Sequence, residues 1–259
     1  MCEKGRSPTK KHAISAHRLK TNKKRGKRMI NTKEWGAQQQ LFKNIVLKPG
    51  KFGEAIKLCL ELHAMVHSSE VSLIKKVTFE DELWERLDEK TFRSMPSLKD
   101  VTIAWNLWHI TRIEDITMNI LIESQTQVIN TEKWLEKMNA RIMDAGNSMT
   151  DEEIMDLSSR IDMQELRNYR IAVGRKTCEI ISGFEPSDLK RKMNNPQNLQ
   201  RIFDEGAVLE HKDSKWLVDF WGRKNVAGIL LMPITRHQMV HINDSIRLKK
   251  KCQYSCLKR

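Results

Sequence analysis

Apolar residues recur at steps of three and four through the long stretches between chain breakers, and that period dictates helices. Val101, Trp105, His109, Arg112, Ile113, Ile116 and Ile120 share one side of such a stretch. Leu230, Ile234, His237, His241 and Leu248 repeat at steps of four, three, four and seven. No run alternates β-branched residues in the manner of a strand. Breakers are scarce, with 11 Gly and 6 Pro in 259 residues, so the helices can be long. The expected class is all-α, a four-helix bundle with long connectors.

The breakers and caps divide the chain. Trp35 to Pro49 reads as a short lead-in, closed by Lys48-Pro49-Gly50. A first helix is expected from Lys51 to Ser69, and a connector from Glu70 to Pro96. Within that connector, Phe79 to Trp84 can form one or two helical turns. The second helix is expected to start at Ser97, capped there after Pro96, and to reach Gln127. A further amphipathic piece runs from Trp134 to Met143 and stops at Gly146. Thr150 and Glu153 form a capping box for a third helix that ends before Gly183. The last helical region starts near Asp213 or Ser214 and reaches Lys249, with Pro233 either kinking it or starting a new helix.

A formal net charge of +13 suggests an anionic partner, yet its distribution says otherwise. Residues 1–28 hold eleven of the 46 basic residues and one of the 33 acidic ones. The remaining chain is nearly balanced. The basicity therefore belongs to an arm, with a smaller basic tail at 251–259. The domain reading is a disordered basic arm over 1–34, with Met29 as an alternative start, then a helical domain over 35–250. No run approaches the ~20 apolar residues of a membrane span, and the N-terminus lacks the apolar core of a secretory signal. A cytoplasmic location is expected. The five cysteines, Cys2, Cys59, Cys178, Cys252 and Cys256, are odd in number and scattered, which suits reduced thiols rather than a disulfide framework. Cys59 and Cys178 fall in apolar helical patterns.

Chemistry concentrates in the histidines. His237 and His241 stand four apart, so on a helix they share a face about 5–6 Å apart at Cβ. Both lie on the inward stripe of the last helix, and His109 lies on the inward stripe of the second. Three imidazoles in an apolar seam need polar partners, and one divalent ion satisfies all three together. Three neutral protein ligands would leave positions open for water or substrate, the pattern of a catalytic metal. Arg112 follows His109 by three and is a candidate to hold an anionic substrate. Glu114 and Asp115 are candidates to orient a ligand imidazole. A second His-x-x-x-His pair, His63 and His67, occurs near the end of the first helix. His67 is expected near His109, as a fourth ligand, an acid/base group or a polar residue at the helix end. A diiron carboxylate bundle would want Glu-x-x-His pairs, and none occurs.

The run Trp105-Asn106-Leu107-Trp108-His109-Ile110-Thr111-Arg112-Ile113-Glu114-Asp115, with His237-Gln238-Met239-Val240-His241 on a later helix, resembles the DinB/YfiT superfamily over roughly residues 40–248. The resemblance implies a four-helix bundle with a three-histidine site at His109, His237 and His241 for zinc or nickel, commonly as a homodimer. It further implies thiol-dependent chemistry, S-transfer or isomerisation with a low-molecular-weight thiol; the activity expected of this chain is that of a metal-dependent thiol S-transferase or hydrolase acting on a small electrophile. The alternative is a non-enzymatic nucleic-acid-binding or stress-response protein that works through the basic arm.

Overall fold

The computed structural model describes residues 31–72, 75–98 and 100–257. The basic segment 1–28, with His12, His17 and Cys2, and the final Lys258-Arg259 lie outside these residues, as do the readings placed on them. Among the described residues no strand forms; a single isolated bridge pairs Lys192 with Asn225.

Five helices carry the architecture: α1 (Thr32–Ile45), α2 (Phe52–Val66), α3 (Ile103–Asp115), α4 (Met163–Ser182) and α5 (His237–Leu257). The stretch expected to be a lead-in is thus a helix of 14 residues, α1. It begins at Thr32, inside the segment assigned to the arm. The overlooked signal is a capping box: the Asn31 side chain accepts from the Glu34 backbone N–H, and the Glu34 carboxylate accepts from the Asn31 N–H. α1 packs on α2, burying Trp35, Phe42 and Ile45, and the Trp35 indole donates to the Leu62 carbonyl at 3.2 Å.

α3 is the centre of the bundle. It packs against α4 and α5, and every residue from Ile103 to Asp115 except Trp105 is buried. A helix buried all round is normally apolar all round. This one also carries Asn106, His109, Thr111, Arg112, Glu114 and Asp115, and each must find a partner inside the protein. Its start differs from the sequence reading. Thr102, not Ser97, caps it by accepting from the Trp105 N–H at 2.9 Å; Ser97 instead donates to Asp100. Past Asp115 the chain continues as a π-helix, Ile116–Ile122.

The third expected helix is two: a helix Asp151–Arg160, started by the Thr150–Glu153 box, then α4, restarted by Asp162 as a new cap. Phe79–Trp84 does form a short helix, and the buried Lys249 ammonium of α5 donates to its end through the Leu83 carbonyl at 2.9 Å. The last region is also broken, into helices Trp216–Gly222 and Val226–Ile229, a π-helix Leu230–Arg236 that contains Pro233, and α5. Proline has no N–H to give the ladder. Thr235 donates to the Leu230 carbonyl at 2.8 Å and the Gln39 amide to that of Leu231 at 2.9 Å. Pro233 therefore sits inside a π-helical turn of an unbroken helical stretch, and α5 follows directly at His237.

Candidate metal centre

α5 places His237 and His241 one turn apart, and α3 places His109 opposite them. Their candidate ligand atoms all lie within 4.8 Å of one another. His109 Nε2 stands 3.3 Å from His237 Nε2. Two nitrogens at about 2.0–2.1 Å from a tetrahedral ion sit about 3.3–3.4 Å apart, so this edge already has the required length.

The outer nitrogens fix which lone pairs face inward. His109 Nδ1–H donates to the Ala145 carbonyl at 2.7 Å, and a carbonyl can only accept. Its Nε2 is therefore an unprotonated lone pair aimed at the common point. His241 Nδ1 bonds the Asn106 side-chain oxygen at 2.7 Å, which turns its Nε2 the same way. His237 Nδ1 is buried without a protein partner. Burial pushes His109 down to about 3 and His241 to about 4; burial and the neighbouring His109 and His241 rings hold His237 well below the ordinary range. All three rings are neutral at pH 7, the form in which imidazole binds a metal.

The carbonyl facing His109 belongs to a strap that α3 itself holds. Trp108 donates to Asp144 O at 2.9 Å and Trp105 to Gly146 O at 3.2 Å, so three successive carbonyls take donors from one helix. Gly146 has φ +75°, and a Cβ there would lie 2.9 Å from the Trp105 indole nitrogen, so only glycine fits. Trp105 also stacks on His109, with ring centroids 4.7 Å apart and 5° between planes. His109 is buried, whereas His237 and His241 are half-buried, so the α5 side is the more exposed side of the centre.

Other residues singled out in the sequence sit elsewhere. Arg112 does not face the three histidines. It donates to Met143 O (2.9 Å), Asp115 (3.0 Å), Tyr169 (2.8 Å) and Gln127 (2.6 Å) in a sealed network. Asp115 accepts from Tyr169 and from the backbone of Val128 and Ile129 as well. Glu114 accepts from His63 and His67 at 2.8 and 2.9 Å. Neither acid orients the three histidines. At 100° per residue, positions five and six beyond His109 face well away from it. Asn106 and the Ala145 carbonyl fill that role. Asn106, three residues before His109, was readable as a buried polar residue on the same side; a backbone carbonyl leaves no trace in sequence. His67 joins His63 and Glu114 rather than His109. His211 lies at the surface beside Asp213.

No helix among the described residues is long and apolar enough to cross a membrane. No curated protein matches the chain. A conserved protein of Enterococcus faecalis, known from its crystal structure, shares the fold at a TM-score of 0.50 and 14% identity, over 75% of this chain and 95% of that one. The family model described as DinB superfamily matches residues 81–243, a span that includes His109, His237 and His241. The chain belongs to the DinB superfamily.

Proposed function

We propose that His109, His237 and His241 hold one divalent ion, zinc or nickel, in an enzyme that acts on a small electrophile with a thiol or water as the second reactant. The reading rests on one observation: the inward Nε2 atoms converge while acceptors orient the outer nitrogens of His109 and His241. The donor set is all imidazole, which suits zinc and nickel and disfavours calcium or magnesium. When bound, such an ion supplies Lewis acidity that lowers the pKa of a water or a thiol. The protein's share is orientation. Ala145 and Asn106 hold two rings in one tautomer, and Trp105 shields one face of His109. The half-buried α5 side is the direction from which a small molecule would approach. A thiol S-transferase fits this arrangement as well as a hydrolase does.

Elemental analysis of untagged protein tests the metal, with His237→Ala as the comparison. The variant should hold one ion per chain fewer than the parent; unchanged metal content overturns the reading. Consumption of an aryl halide or an epoxide only when a low-molecular-weight thiol is present supports transfer, and consumption without thiol supports hydrolysis.

A further inference from the structure

His63, His67 and Glu114 form a second convergence that the centre above does not use. His63 and His67 stand at the end of α2 with their side chains fully buried, and their ring centroids are 4.1 Å apart. Each Nε2 meets a different oxygen of Glu114, at 2.8 and 2.9 Å. The three ligand atoms lie within 4.8 Å of one another. α3 therefore contributes one ligand toward each of two histidine pairs, His109 on one side and Glu114 on another. His63 and His67 lie outside the segment matched by the family model.

We propose that His63, His67 and Glu114 form a second divalent-metal site, structural rather than catalytic, which takes zinc or iron(II). Two imidazoles and a carboxylate are a ligand set for such ions. The two N···O contacts, hydrogen bonds in this structure, would open by about half an ångström to reach the roughly 3.3 Å edge of a tetrahedral ion. A carboxylate bound through both oxygens brings the donors to four and closes the site, in keeping with its complete burial. The outer shell is partly built: His63 Nδ1 stands 3.5 Å from Cys178 Sγ of α4, the place where a ligand histidine normally meets an acceptor. His67 Nδ1 is buried and unpartnered. An ion here would tie the end of α2 to α3, with α4 fixed through Cys178. With no solvent path, it would load as the chain folds.

The test is to unfold the untagged full chain in guanidinium with chelator and refold it with excess zinc. Metal is then counted after gel filtration. The chain should retain two ions, and the His237→Ala/His241→Ala variant one. X-ray absorption of the single ion in that variant should show two imidazole nitrogens with oxygen donors. A variant that retains no ion overturns the proposal, and so does an ion bound through sulfur or through nitrogen alone. Failure of the first centre reads differently, as one ion in the parent that the double variant keeps. His63→Gln on the double-variant background should remove the last ion. If that triple variant does not fold, the absorption spectrum still decides.

Discussion

Replacing Arg170 with methionine should destabilise the protein strongly at pH 7 and distinctly less at pH 5. Arg170, buried on α4, donates to Glu80 at 2.7 Å, Thr111 at 3.2 Å, the Val66 carbonyl at 2.8 Å and Gln238 at 2.9 Å. It thus links α2, α3, α4 and α5, and of its neighbours Val66 precedes His67 and Gln238 follows His237 in the chain. Burial raises the Glu80 carboxyl above the usual carboxylate value of 4.5, and Arg170 offsets part of that rise. Without the guanidinium, Glu80 escapes an unpaired buried charge by taking up a proton. At pH 7 that costs about 1.4 kcal/mol for each pH unit above 4.5, or about 3 kcal/mol. Three acceptors also lose a donor, at roughly 1 kcal/mol each. The total of about 6 kcal/mol is a large part of a typical domain's stability.

The sign of the pH dependence follows from linkage. In the variant the folded Glu80 pKa lies well above the unfolded value, so the protonated form's contribution is complete below pH 4.5 and is lost as pH rises toward the folded pKa. The charge part of the penalty should be under about 1 kcal/mol at pH 5 and near 3 kcal/mol at pH 7. Urea denaturation of parent and variant at both pH values reads the difference, with unchanged slopes securing the comparison. Adding Glu80→Gln to Arg170→Met should remove the pH-dependent part. A penalty below about 1 kcal/mol at pH 7, or one equal at both pH values, would refute the reasoning.

Two further outcomes follow from the site geometry. Asn106→Ala removes the acceptor that orients His241; competition with a chromophoric chelator should show zinc bound roughly 10–100-fold more weakly by the three-histidine centre. Gly174→Ala places a Cβ 2.8 Å from His67 Nδ1 and 3.1 Å from both Val71 methyls. It should cost about 1–3 kcal/mol in urea denaturation, because the crowded atoms belong to packed side chains.

Helix content was legible because the breakers are few and the stripes long, and Thr150–Glu153 and Gly183 gave true ends. The errors came where two local signals competed. Ser97 after Pro96 looks like a cap, but Thr102 has both the hydroxyl to cap α3 and a buried partner in Ser158 at 2.6 Å. The break at Asp162 was hidden because the residues on either side keep helical composition, and a single Asp serves as the new cap. α1 was missed although Asn31 and Glu34 carry a box as complete as the one that revealed the later helix.

The centre was legible to a different depth. Spacing alone brings His237 and His241 together. Joining His109 to them required the assumption that two inward stripes face each other, and α3 against α5 meets it. The same assumption failed for Glu114, Asp115 and Arg112, because α3 has no outward face. On a surface helix a charge five residues past an inward histidine would be solvated. On a helix buried all round, that charge must be answered by another element, and α2 answers Glu114 with two imidazoles while α4 answers Asp115 with Tyr169. The polar residues of α3 therefore report which helices surround it, and the placement of the two histidine pairs follows from that requirement.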